Sequence, residues 1–127
     1  MNLFEVVESH LNNGGLLDGY QILWYRWREE HTEQTASPFI CMRRMGGSDS
    51  DEFGQEPTVL IQVCGRPNQI ASTEQRIKQI KDYLICNYTH GDIVNYGIAG
   101  DINGPYMFDN DRPLFELNIN VMAENGL

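Results

Sequence analysis

Phe115-Glu116-Leu117-Asn118-Ile119-Asn120-Val121-Met122 alternates between apolar and less apolar side chains without a break. Successive side chains of an extended chain point to opposite faces, so Phe115, Leu117, Ile119 and Val121 share one side. Glu116, Asn118, Asn120 and Met122 share the other. The pattern predicts an antiparallel strand with one face in a core and the other against water or a partner. Such a strand cannot bury its apolar face alone; the remaining sequence must supply its neighbours and a cover.

Upstream, Thr58 to Cys64 carries Val59, Ile61 and Val63 on one face and predicts a second strand. Phe39 to Met45 predicts a third, and the aromatic-rich stretch Tyr20 to Trp27 a fourth. The polar connection Glu29 to Pro38 suggests that these last two pair as a hairpin. Gly46-Gly47-Ser48-Asp49-Ser50-Asp51-Glu52 has nothing to pack and predicts a mobile loop, reaching to Glu56. Two helices complete the pattern. Leu3, Phe4, Val6, Val7 and Leu11 recur at helical intervals and stop at Gly14-Gly15. Ile77, Ile80, Leu84 and Tyr88 trace one face of a helix opened by a capping box at Ser72-Thr73-Glu74-Gln75 and ending near Thr89. The expected fold is one α+β domain over residues 1–127, in the order helix, three strands, helix, strand. Its four-stranded sheet, mixed or antiparallel, should carry both helices on one face.

A chain of 127 residues buries roughly two-thirds of its unfolded surface, enough for one core and not two. Nine Lys and Arg against eighteen Asp and Glu leave a net charge of −9, which disfavours stable binding to nucleic acid or anionic lipid. No run of about eighteen apolar residues is present, so no membrane span is expected. Cys41, Cys64 and Cys86 are widely spaced within apolar patterns and read as reduced core or sheet residues.

Three constellations carry side chains capable of chemistry. Asp101, Asp109 and Asp111, around Asn103, Gly104 and Asn110, could hold Ca²⁺ or Mg²⁺, but the twelve-residue calcium loop is unmatched and ordinary Asx turns account for them. Asp49, Asp51, Glu52 and Glu56 sit in a glycine-rich loop that cannot hold two carboxylates apart in pKa. His10, His31 and His90 have no nucleophile or carboxylate at a motif spacing, and His90 suits the negative end of the second helix. No catalytic residue, cofactor site or metal site is therefore expected. Arg26, Arg28, Arg43 and Arg44 with Trp24 and Trp27 read as fold support or a protein interface, Trp and Arg being enriched there.

The stretch Gly104-Pro105-Tyr106-Met107-Phe108-Asp109-Asn110-Asp111-Arg112-Pro113-Leu114-Phe115 to Val121 resembles the end of small tailed-phage proteins. In those, an Asp- and Asn-rich turn leads through Arg-Pro into a last alternating strand. The family resembled is the phage tail terminator, also described as minor capsid or tail completion protein; size, acidity and element order agree. The resemblance implies a structural protein, not an enzyme, that closes into a homo-oligomeric ring, hexameric in the family. The ring would cap the tail tube, meeting the tail tube protein on one face and a head-completion or connector protein on the other. Assembly would occur in the bacterial host cytoplasm, and the final location would be the head-proximal end of the virion tail. DNA would pass through an acidic lumen without being held. Two complementary patches per subunit are needed for a ring. The expected ones are Trp24, Trp27 and Arg28 with Arg43 and Arg44, and the turn bearing Asp109, Asp111 and Arg112. The rival readings are another phage head-tail completion or connector protein, and a small metal-dependent enzyme using the Asp101 to Asp111 turn.

Overall fold

The computed structural model describes residues 3–33, 35–48, 56–87, 93–98 and 101–123. Two helices, α1 (Leu3–Asn13) and α2 (Ile70–Cys86), lie on one face of a six-stranded sheet. The strands are β1 (Gln21–Trp24), β2 (Phe39–Ser48), β3 (Glu56–Cys64), β4 (Ile93–Ile98), β5 (Asn103–Met107) and β6 (Pro113–Ala123). Their spatial order is β1-β2-β3-β6-β4, with β5 also paired to β6. The alternating strand of the opening motif is β6. It pairs antiparallel with β3 from Thr58↔Asn120 to Cys64↔Leu114. Its other edge takes β4 beside the C-terminal half and β5 beside the N-terminal half, both antiparallel.

The helix-side face of the sheet presents Ile40 and Met42 from β2, Val59, Ile61 and Val63 from β3, and Phe115, Leu117, Ile119 and Val121 from β6. Against them pack Phe4, Val6, Val7 and Leu11 of α1 and Ile77, Ile80 and Leu84 of α2. Full burial of each such side chain contributes about 1.5–3 kcal/mol, so this layer dominates the stability. Helix α2 approaches the end of β3 closely: a Cβ on Gly65 would collide with the buried Thr73 side chain. One polar pair is buried in the layer. His10 Nδ1 lies 3.0 Å from the Tyr96 hydroxyl, and burial pushes the Tyr96 pKa well up, keeping that hydroxyl protonated.

Several expectations require correction. The sheet has six strands, not four. Ile93 to Ile98 lacks clean alternation and contains Gly97, while Asn103 to Met107 is exposed throughout and holds Gly104 and Pro105. Neither carries the period that marks a half-buried strand.

β1 and β2 do not form a hairpin. They are parallel, from Gln21↔Phe39 to Trp24↔Met42. The cause is local: Tyr25 adopts φ 74°, ending β1 at Trp24, and the chain returns through a 3-10 turn at Glu29–Thr32 to begin β2. Gly46 to Ser48, expected in a loop, extend β2 through a bulge between Met45 and Gly47. The rest of that loop, 49–55, lies outside the described residues.

The capping box at Ser72 does not form either. Helix α2 starts earlier, after Gln69, and Ser72 Oγ and Thr73 Oγ1 both donate back to the Gln69 carbonyl. The helix closes at Cys86, with Asn87 N–H donating to the Tyr83 carbonyl; Tyr88, Thr89 and His90 are outside the described residues. Cys41 and Cys64 are buried free thiols as expected, but Cys86 is exposed on α2.

Candidate assembly surfaces

On the face of the sheet away from the helices, Phe39, Cys41, Cys64 and Leu114 form a second, smaller cluster. The connection from β1 to β2 covers it. Trp27 packs on Phe39 with ring centroids 5.4 Å apart and meets Phe108 edge-on at 6.3 Å. His31 approaches Phe39 from the 3-10 turn at 6.4 Å and accepts the Arg28 N–H at Nδ1. Burial in this cluster pushes both the Cys41 and Cys64 thiols up to about 11, with Arg43 and Arg112 opposing the shift. They stay protonated and unreactive at neutral pH.

Arg112 fastens this layer. Its side chain is 0% exposed, and its donors all reach main-chain carbonyls: Nε to Gly65 at 2.9 Å, Nη1 to His31 at 2.6 Å and Glu33 at 2.8 Å, Nη2 to Ser37 at 3.0 Å. The guanidinium also lies 5.9 Å over the Phe39 ring. A buried charge is costly unless its donors are satisfied, and four carbonyl dipoles replace the lost water here. Arg112 was expected at a contact surface; it lies inside and acts through the loops that it holds. The turn leading to it is closed by Asp111 N–H to the Phe108 carbonyl and Phe108 N–H to the Arg112 carbonyl, with Asp111 at φ 66°. Asn110 Nδ2 ties the turn to the Thr32 carbonyl at 2.7 Å.

The remaining expected residues separate by location. Trp24 is half-buried against the helix-side core, its ring 6.0 Å from Phe4. Trp27 is half-buried on the opposite face, and Arg43 lies 5.9 Å over its ring while Nε donates to the Tyr25 carbonyl. Arg28, Arg44, Asp109 and Asp111 are exposed. The Trp27–Phe108 and Asn110–Thr32 contacts join the arginine-tryptophan group to the acidic turn. The Trp27 part of one group and the acidic turn, expected to complement each other across a joint, thus form one continuous surface within a subunit, while Trp24 lies on the other face.

Beside this surface the open sheet face is polar. Thr58 Oγ1 donates to Asn120 Oδ1 at 2.9 Å and Gln62 Nε2 to Glu116 Oε2 at 2.6 Å, leaving the buried Gln62 Oε1 with no partner among the described residues. Asp101 precedes β5 and Asp109 follows it, at opposite ends of that strand. Among the described residues, no three His, Cys, Asp or Glu side chains gather into a group that could hold a metal.

Residues 1–125 match the family described as phage tail termination protein. The chain belongs to that family. Its resemblance through the Gly104 to Val121 stretch is thereby extended to nearly its whole length. This terminator-family chain is also similar in fold to a chain of the solved virion of a native gene transfer agent (GTA) particle. The TM-score is 0.65 at 13% identity, over 97% of this chain and 95% of that one. No match is found among curated proteins. The terminator-family chain is a structural component of a phage tail rather than an enzyme, working in the virion beside other phage structural proteins.

Sequence reasoning missed two features of these surfaces. The buried Arg112 could have been suspected from the apolar run Pro113-Leu114-Phe115 directly after it, which leaves no wet face at that point. Tyr25, 60% exposed at a positive φ, carried no signal in composition or period.

Proposed function

We propose that the chain closes head to tail into a ring, a hexamer, that caps the finished tail tube. The cap ends polymerisation of the tail tube protein and offers its opposite face to the head-completion or connector protein. The observation that carries this reading is the pair of unlike open edges. The sheet ends on the short strand β1 at one side and on β4 with β5 at the other, different in length, composition and direction relative to their neighbours. A rotational ring needs two different patches per subunit, whereas a two-fold dimer needs one patch used twice. The continuous surface of Trp27, Arg28, Arg43, Asp109 and Asp111 is the surface turned toward the tube or the connector. The net charge of −9 suits a lumen through which DNA slides without sticking.

Purified tail tube protein polymerising in the presence of this chain tests the reading. Tubes should stop growing at ends that carry a ring visible by negative stain, with mean length falling as more chain is added. Tubes that elongate unchanged at saturating chain would sink it. Carboxylate-to-Lys changes on the acidic loops should retard DNA exit from assembled particles, and unaltered ejection would remove the lumen argument alone.

A further inference from the structure

We infer that the head-to-tail joint is made by Tyr25 and Arg26 of one copy seated on the β4–β5 edge of the next, around Asp101, Tyr106 and Met107. The inference rests on the ring reading above and names its contact.

Tyr25 is the first observation. A bulky aromatic residue at φ 74° occupies the left-handed region, which L side chains other than Asn and Asp seldom adopt. The backbone is clamped there: Tyr25 N–H donates to the Met42 carbonyl at 2.8 Å, and its own carbonyl accepts Arg43 Nε at 2.8 Å. The ring touches Phe4 edge-on at 5.0 Å and is otherwise 60% exposed. Gly or Asn would make the same turn with less strain, so the fold alone does not call for Tyr at this position. Strain kept at a residue that points outward indicates a task outside the fold. Tyr beside Arg is the composition of an interface anchor.

Register supplies the second. Tyr25 is bonded to Met42, which lies opposite Ile61, which lies opposite Leu117. On the far edge, Ile98 pairs with Ile119 and Asn103 with Glu116, and Asp101 and Ile102 lead into that second pairing. Trp24 ends the Met42 rung at the β1 edge, so Tyr25, which follows it, and Asp101 lie near the same rung of the sheet at opposite edges. A second copy displaced along that rung brings one onto the other.

The chemistry of the two ends is complementary. Arg26 and Arg44 are exposed and have no carboxylate within 4.0 Å among the described residues. Glu5 and Glu8 line a groove beside Ile22, so Arg26 and Arg44 are the cationic points of an otherwise mixed edge. The other end offers the opposite charge: Asp101 is exposed just before β5, and the described residues from 93 to 107 include no Lys or Arg. Tyr106 and Met107, 52% and 45% exposed, give the Tyr25 ring an apolar landing beside that charge. Pro105 has no N–H, which blunts β5 against pairing with a further strand and leaves side chains to make the joint.

Two variants test the polarity of this joint. Tyr25→Asn with Arg26→Glu breaks the projecting half, and Asn tolerates the local backbone. Asp101→Asn with Tyr106→Ser breaks the receiving half. Wild-type protein should form rings by sedimentation and negative stain, alone or on tube ends. Each variant alone should stay monomeric, its joint weakened about 30-fold or more. Mixed together they should form a 1:1 dimer and nothing larger, because each retains one intact half and neither can propagate. Circular dichroism and thermal melts verify folding; the single changes Arg26→Glu and Asp101→Asn serve if a double variant unfolds. Rings from either folded variant at wild-type concentrations overturn this joint and leave the ring reading standing. Wild-type protein that never closes, even on tube ends, overturns both.

Discussion

The covered face of the sheet is held by side chains that touch only one another, whereas the open face beneath Trp27 is held by a single guanidinium that touches four main-chain carbonyls. On the covered face Ile61, Leu117 and Ile80 are interchangeable in kind; any apolar side chain of similar volume would serve. On the open face no other side chain reproduces the fork of Arg112, whose donors fix the segment from His31 to Ser37 against Gly65. The first arrangement makes the domain stable. The second shapes a surface on the domain by pinning a connection that has little apolar material of its own.

Arg112→Leu should therefore have the largest effect, destabilising by about 4 kcal/mol because four buried carbonyls lose their donors. Urea denaturation measures it. Hydrogen exchange should quicken first in residues 27–33 and 35–37; uniform quickening across the sheet would break the contrast between the faces. Leu117→Ala should cost about 3 kcal/mol and act in the reverse sense, lowering protection throughout the sheet while the crossover follows it. Gly65→Ala, where the two layers meet at the end of β3, should cost about 2 kcal/mol, since the new methyl runs into Thr73. A melting temperature within a degree of wild type would show that α2 can shift, and that the junction is looser than its packing implies.

Alkaline titration sharpens the comparison further. Cys41 and Cys64 belong to the open-face cluster, and burial raises their pKa from 9.0 to about 11. A raised folded-state value means that the unfolded chain releases these protons first. Their contribution is complete below about pH 9 and is lost as pH rises toward 11. The double variant Cys41→Val with Cys64→Val should flatten the decline in stability over that window, and an unchanged slope would mean that water reaches the cluster. The smallest effect is expected at the exposed pair Lys78–Glu74, one turn apart on α2 at 2.9 Å. Lys78→Ala should change stability by about 0.5 kcal/mol or less, as surface pairs do.

The covered face was legible in the sequence and the open face was not, for the same reason. Apolar side chains at period 2 in β6 and β3, and at helical spacing in α1 and α2, announce which way they point. The Gln21 to Trp24 strand was visible as a strand, but its parallel pairing depends on the backbone at Tyr25, where no residue type marked a reversal. β4 and β5 were invisible because Gly97, Gly104 and Pro105 erase the alternation and β5 buries none of its side chains. Of the surface residues singled out, Arg28, Arg44, Asp109 and Asp111 are exposed and Trp27 with Arg43 lies among them. Arg112 was misplaced because an arginine beside two aspartates reads as a wet turn, and only the fold reveals that its partners are carbonyls distant in sequence.

The position of β6 in the sheet also governs when the molecule can first act. It is the last strand in chain order but sits between β3 and the β4–β5 pair, so nothing joins those two parts until it arrives. Until β6 is in place, β1, β2 and β3 stand on one side and β4 and β5 on the other, with no complete sheet between them. Neither edge is in its final place relative to the other before β6 docks, so the two ends of the subunit become available together.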